Sequence, residues 1–248
     1  QKDQFLANTS HEFRNPLHAI LNMSESVLNR EKDHLNIESK NQLETISSVG
    51  RRLNLLLNDL LDVMSIQEGR PKLNKKTVSL PSVVIGVKDM LQSMFETKQV
   101  KVIDHFDKEF PRVFADENRI IQILFNILHN AIKYTDEGEI VINGDVKNGF
   151  AYVTVKDTGI GMSKDLLNRI FLPYEQNESS MVEGGVGLGL SISKQLVELH
   201  GGKLTASSEV GVGTEVTFSL PLATQAQLEA EFLSEQSLNN ENVKDINQ

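Results

Sequence analysis

His11 stands in the run Ser10-His11-Glu12-Phe13-Arg14-Asn15-Pro16-Leu17. A histidine beside a carboxylate, early in an amphipathic helix, has the chemistry of a phosphate acceptor. Glu12 can orient the imidazole and take its proton, which leaves a ring nitrogen free to attack phosphorus. Asn15 follows one helical turn later and so shares the face of His11. Pro16 loosens the helix just beyond it. A lone histidine is more often a packing or surface residue, so the reading rests on these neighbours. His18, His34 and His105 have no comparable surroundings and are read as structural or solvated.

Three segments further on are built from residues that handle a nucleotide. In Asn126-Ile127-Leu128-His129-Asn130-Ala131-Ile132-Lys133-Tyr134-Thr135, the side chains of Asn126, Asn130 and Lys133 recur at helical spacing and share a face. Asn130 offers a neutral oxygen to Mg²⁺, an ion that takes few protein ligands alongside phosphate oxygens and water. Lys133 can pair with a phosphate, and Tyr134 can pack against a base. In Val155-Lys156-Asp157-Thr158-Gly159-Ile160-Gly161, a strand ends at Asp157 and two glycines permit a tight turn. A carboxylate placed there can accept a hydrogen bond from an exocyclic amine such as that of adenine. In Gly185-Val186-Gly187-Leu188-Gly189-Leu190, glycines let backbone N–H groups approach phosphate, and the helix that follows over 191–199 adds the positive end of its dipole. No Gly-Lys-Ser/Thr follows, so this is not a Walker loop, and the third glycine comes too early for a dinucleotide fingerprint.

The order and spacing of these segments resemble the catalytic core of two-component sensor histidine kinases over residues 1 to 222. The His11 run is similar to the phosphoacceptor motif of that family. The Asn126–Tyr134 run is similar to the N box of the GHKL ATP-binding fold, shared by gyrase, the heat-shock chaperone ATPases and histidine kinases. The Asp157 turn and the 185–190 loop resemble its two glycine boxes, and 170–174, with Phe171, resembles its F box. His200-Gly201-Gly202 and Gly211-Val212-Gly213-Thr214 complete the pattern.

The resemblance implies that His11, Glu12 and Asn15 are catalytic, with Asn15 serving removal of phosphate from a partner regulator. It implies ATP binding by Asn126, Asn130, Lys133, Tyr134, Asp157, Gly159, Gly161, Phe171, Gly185, Gly187, Leu188, Gly189, Leu190 and Thr214, with Mg²⁺ on Asn130. Residues 175–184 would be a mobile lid. Related hydrolases carry a glutamate where this chain has Asn126, whose amide is a poor general base. The implied activity is autophosphorylation of His11 from Mg-ATP and transfer to an aspartate on a response-regulator receiver domain. Rival readings are a plain ATP hydrolase of the same fold and a scaffold that only dimerises.

These residues need a helical platform and an α/β layer to hold them. Residues 1–30 read as a helix, 31–38 as a polar loop and 39–67 as a second helix. In the second helix, Leu43, Ile46, Gly50, Leu53, Leu57, Leu60 and Met64 follow heptad spacing, and Val49, Leu56 and Val63 widen the stripe. One hairpin cannot bury stripes this wide, so a four-helix bundle made by two copies is expected, that is, a homodimer. Glu68-Gly69-Arg70-Pro71 ends the helix. Beyond it, a strand is expected at 77–80, with Pro81 opening a helix over 81–97. A further helix is expected over 116–135, and strands over 139–145, 151–156, 203–208 and 215–220. The expected fold class is α + α/β, a helical hairpin followed by a GHKL α/β sandwich. The expected domains are 1–76 for dimerisation and phosphotransfer, 77–222 for ATP, and 223–248 as a polar acidic tail or linker that opens with a short helix.

Composition bounds the remaining classes. The 25 basic and 34 acidic residues give a net charge of −9, which argues against a nucleic-acid binder resting on a broad basic surface. Cysteine is absent, so there is no disulfide framework, no cysteine zinc site and no thiol nucleophile. No apolar run approaches the length of a membrane span. A start at Gln1, directly before the His11 helix, reads as a cytosolic piece of a longer protein, itself making no membrane contact although the whole protein is compatible with a membrane anchor.

Overall fold

The computed structural model describes residues 16–17, 19–24, 26–28, 30–31, 35–40, 42–43, 45–47, 50, 73–172, 188–230 and 233. The chain divides into two units, residues 1–71 and 72–248. His11, Glu12, Asn15, Gly185, Gly187, the 175–184 stretch and the end of the second helix lie outside the described residues.

In the first unit the described residues of 16–30 and of 37–50 are helical. The second helix starts two residues earlier than expected. The reason is Asn36, whose side-chain oxygen accepts the Ser39 backbone N–H at 2.7 Å and caps the helix start. Leu17 and Leu21 are buried and close on Gly50, where a Cβ would come within 2.8 Å of the Leu21 Cδ2. Glycine fills this heptad slot because the neighbouring helix leaves no room for a side chain. On the single chain, large apolar side chains of both segments stay open: Ile20 is 49% exposed, Met23 63%, Ile37 81% and Ile46 44%.

The second unit is built from β1 (Lys76–Val78), α1 (Leu80–Lys98), β2 (Val100–His105), β3 (Val113–Ala115), α2 (Glu117–Lys133), β4 (Gly138–Lys147), β5 (Phe150–Asp157), α3 (Lys164–Leu167), α4 (Gly189–Leu199), β6 (Leu204–Glu209) and β7 (Gly213–Pro221). Among the described residues, five strands form one sheet in the order β2-β4-β5-β7-β6. The β2–β4 pair is parallel and the others are antiparallel. β1 and β3 form a separate antiparallel pair. A short helical turn at 225–230 follows the last strand.

Local chemistry explains the helix starts. The Ser79 hydroxyl accepts the Ser82 N–H, and Pro81 occupies the first turn of α1, where a missing donor costs nothing. Asp116 caps α2 by accepting the Arg119 N–H. The buried stripe of α2, Ile120, Ile123, Leu124, Ile127, Leu128, Ala131 and Ile132, covers the sheet side chains Ile140, Ile142, Val153, Val155, Phe218 and Leu220, with Ile192, Leu196 and Val197 of α4 beside it. Burying one such side chain contributes roughly 1.5–3 kcal/mol, so this shared core fixes where the polar face of α2 points.

Two strands escape the sequence reading. β2 follows α1 after one residue, Gln99, which turns the chain through the left-handed region at φ 57. β3 has three residues, too short for periodicity to register, and is held by pairing with β1.

Candidate active site

The site is assembled where the C-terminal half of α2, the turn after β5, the start of β7 and the start of α4 meet. Asp157 ends β5 and is buried. Its Oδ1 accepts two backbone N–H groups, from Gly159 at 2.9 Å and from Thr214 at 3.1 Å. Both donors land on one oxygen, which leaves Oδ2 without a hydrogen bond among the described residues. Burial pushes the Asp157 carboxyl above the ordinary aspartate range, and the Gly159 and Thr214 N–H groups pull it part of the way back.

The glycines around it are dictated by close approach. A Cβ on Gly159 would overlap the Tyr134 carbonyl oxygen, and the neighbouring Ile160 N–H donates to that same oxygen at 3.1 Å. Gly161 lies at φ 64, with the Glu209 carbonyl oxygen filling the space of a Cβ. The turn is thereby clamped between the end of α2 and the β6–β7 hairpin. Gly211 N–H closes the other side by donating to the Ile160 carbonyl at 2.8 Å. The Ser208 hydroxyl ties the hairpin to the turn: it donates to the Gly213 carbonyl, shares a hydrogen bond with the Thr214 hydroxyl at 2.9 Å and accepts the Met162 N–H at 2.8 Å.

On α2, Asn126, Asn130, Lys133 and Tyr134 are all half-buried. The Asn126 amide donates to the Gly189 carbonyl at 3.3 Å and to the Ser193 hydroxyl at 3.4 Å, so it tethers the first turn of α4 to α2. Among the described residues, the Asn130 side chain has no hydrogen-bond partner. The Lys133 ammonium sits 5.2 Å from the Tyr134 ring centroid. Leu188 is buried at the start of α4, and among the described residues no side chain caps that helix. First-turn amides without a side-chain cap are the groups a phosphate takes. Leu190 is half-buried in that turn. Phe171 packs with the same helix, the Lys194 ammonium lying 5.6 Å from its ring centroid.

The structure thus links Tyr134, Gly159, Asp157 and Thr214 through direct contacts and Asn126 with Gly189, the two sets being joined along α2 by the turns that carry Asn130 and Lys133, while Gly161 closes on Glu209 in the same turn as Asp157. Sequence reasoning missed the residues that hold this arrangement. Lys98, in the last turn of α1, donates to the Lys133 carbonyl at 2.7 Å, the Thr135 carbonyl at 3.4 Å and the Asp136 carboxylate at 3.1 Å, capping the end of α2. Ser193 and Ser208 carry no sequence signal at all.

Among the described residues no group of three or more His, Cys, Asp or Glu side chains is placed to hold a metal. A metal here would rest on the Asn130 oxygen, phosphate and water. That donor set suits Mg²⁺, which keeps its waters and is commonly shared with substrate phosphates.

Comparison with known proteins agrees with this assembly. Residues 1–69 match the His Kinase A (phospho-acceptor) domain, and residues 115–224 match the histidine kinase-, DNA gyrase B- and HSP90-like ATPase domain. The chain is 36% identical over 229 residues to the non-motile and phage-resistance protein of Caulobacter vibrioides, covering 89% of this chain and 27% of that protein. It is 35% identical over 227 residues to the autoinducer 2 sensor kinase/phosphatase LuxQ of Vibrio cholerae, covering 88% of this chain and 26% of that one. The chain therefore spans about a quarter of the length of these relatives. Among solved structures, full-length ShkA in complex with AMPPNP superposes with a TM-score of 0.68 at 30% identity, over 89% of this chain and 46% of that one. The catalytic domain of the histidine kinase ThkA superposes with a TM-score of 0.55 at 28% identity, over 60% of this chain and 96% of that one. With a phospho-acceptor domain followed by this ATP-binding layer, the chain belongs to the sensor histidine kinases, as the catalytic core of one.

Proposed function

We propose that this chain moves the γ-phosphoryl group of Mg-ATP to His11 and from there to an aspartate of a response-regulator receiver domain. A ring nitrogen of His11 attacks the γ-phosphorus and a P–N bond forms. The bond to the β,γ-bridging oxygen breaks, ADP leaves with that electron pair, and Glu12 takes the imidazole proton. Asp157 reads the adenine amine, with Tyr134 and Phe171 beside the base. Gly159, Gly161 and Thr214 shape and hold the turn that carries Asp157. Lys133 and the amides of the 185–190 loop and the α4 start hold the phosphates. Asn130 would hold Mg²⁺, which supplies charge neutralisation when bound. Catalysis rests on positioning and electrostatics.

The observation that carries this reading is the joining of the Asp157 turn, the Asn126–Tyr134 face and the start of α4 through Tyr134, Thr214 and Gly189. Asn126 also separates the kinase from a hydrolase. Its amide is a poor general base, and its N–H group is committed to Gly189 and Ser193. The open apolar side chains Ile20, Met23, Ile37 and Ile46 support a homodimer. We place the domains at 1–76, 77–222 and 223–248, and the work in the cytoplasm. The kinase/phosphatase named among the relatives supports a second activity, in which Asn15 orients water to remove phosphate from the regulator.

The test is γ-labelled ATP with the wild-type chain and His11→Gln. Acid-labile, alkali-stable label is expected on the wild type and none on the variant, with nucleotide binding equal in both. Label that persists in His11→Gln moves the acceptor elsewhere, and turnover of ATP without any labelling favours the hydrolase.

A further inference from the structure

His200 lies at the far end of α4 from the glycine loop and is almost fully buried. Its two ring nitrogens are both used. Nδ1 donates to the Leu196 carbonyl at 2.7 Å, and Nε2 accepts the Asp116 backbone N–H at 3.0 Å. A ring that donates at one nitrogen and accepts at the other is neutral and in a single tautomer. Asp116 is also the N-cap of α2: its Oδ1 accepts the Arg119 N–H at 3.3 Å, and its Oδ2 accepts the Asn74 N–H at 2.9 Å. Asn74 lies three residues beyond Pro71, the last residue of the first unit.

α2 and α4 are thus pegged to each other at two places. The start of α4 is held by Asn126 through Gly189 and Ser193, and the end of α4 is held by Asp116 through His200. The ten-residue step along α2 from Asp116 to Asn126 spans about 15 Å. The peg beside the phosphate loop is the weaker one, with bonds of 3.3 and 3.4 Å against the 3.0 Å bond from Asp116 to His200, whose ring is itself fixed on α4 by the Leu196 carbonyl. A rigid rod held firmly at one end only keeps its other end in register if that firm end does not slip.

We propose that His200 is a positioning residue for nucleotide binding, a neutral clasp that keeps the Gly189 end of α4 in register with the Asn130 face of α2. This rests on the reading of that face as the Mg-ATP site. Protonation would put a donor on Nε2 against the Asp116 N–H and open the clasp. Burial holds the imidazole below the usual histidine value, as do Lys75 and Arg119, while the Leu196 carbonyl and the Asp116 carboxylate oppose them. The clasp therefore stays shut at neutral pH and opens only on acidification past the ordinary histidine range. Through the Asp116 carboxylate it is also bonded to the segment that enters the ATP-binding unit.

The test measures binding of a non-hydrolysable ATP analogue with Mg²⁺ by calorimetry, using the full chain, His200→Ala and His200→Gln. A glutamine can accept through its oxygen and donate through its nitrogen, so it replaces the clasp without a titrating group. At about pH 8 the wild type and His200→Gln are expected to bind alike, and His200→Ala up to about tenfold more weakly, the scale of one buried hydrogen bond. As pH falls, the ratio of wild-type to His200→Gln affinity is expected to drop, and this ratio cancels the titration of the nucleotide and of Asp157. A flat ratio overturns the clasp, as does a His200→Ala variant that melts earlier yet binds the analogue like the wild type. If His200→Ala does not fold, the ratio for the glutamine variant still decides. A wild-type chain that binds no analogue at any pH overturns the ATP reading itself and the clasp with it.

Discussion

Replacing Asp157 with asparagine separates the cost of a buried carboxylate from its use. Both backbone donors on this residue, Gly159 N–H and Thr214 N–H, point to the same oxygen. An asparagine oxygen in that position accepts both, so the turn keeps its hydrogen bonds. The carboxyl is buried enough that desolvation raises its pKa despite those two donors. For an acid whose folded pKa is raised, the unfolded chain loses its proton first. Stability therefore falls as pH rises from the unfolded value of about 3.9 through the folded value, and stays lower above it. The neutral amide removes this penalty, so Asp157→Asn without nucleotide is expected to be as stable as the wild type or more so at neutral pH, with the difference vanishing below about pH 4.

Binding moves the other way. The amide nitrogen of the variant takes the place of Oδ2 and faces the adenine amine, donor against donor. Losing a hydrogen bond to a charged acceptor costs about 1.5–3 kcal/mol, and leaving a buried donor unmade adds about 1–3 kcal/mol. The sum corresponds to a loss of affinity of about a hundredfold or more. The same nitrogen can donate to a carbonyl at the base's sixth position, so inosine triphosphate is expected to bind the variant better than ATP does. Calorimetry with both nucleotides, beside thermal unfolding without either, tests each half. ATP affinity within about threefold of wild type, or a variant that prefers ATP to inosine triphosphate, would refute the assignment of Asp157 as the adenine reader.

Two further substitutions test how the turn is held. Gly161→Ala places a Cβ against the Glu209 carbonyl at a φ of 64 and is expected to destabilise the chain by about 1–3 kcal/mol; an unchanged urea midpoint would mean that the hairpin does not clamp the turn. Thr135 is fully buried, and among the described residues its hydroxyl has no hydrogen-bond partner. Thr135→Val replaces that hydroxyl with a methyl of similar shape and is expected to stabilise by about 1 kcal/mol, so a lower midpoint would show that the hydroxyl has work to do.

The chain's residues by themselves announce the chemistry of the site, because that chemistry is local. The face shared by Asn126, Asn130 and Lys133 follows from helical spacing, and the turn after Asp157 from Gly159 and Gly161, two positions apart. The start of α1 is legible from Ser79 and Pro81 for the same reason. Periodicity reports which face of an element is apolar, not which other element will cover it. The partners therefore came only with the tertiary structure. Thr214 reaches Asp157 across 57 residues, and Asp116 reaches His200 across 84. β2 finds β4 as a parallel neighbour, and Lys98 caps a helix other than its own. A glycine pattern says that the backbone is free to approach something. That Gly159 approaches Tyr134 and Gly161 approaches Glu209 was decided by the packing of α2 and the β6–β7 hairpin around a shared core, since burial of the α2 stripe sets the height and rotation of the helix whose end forms the floor of the turn.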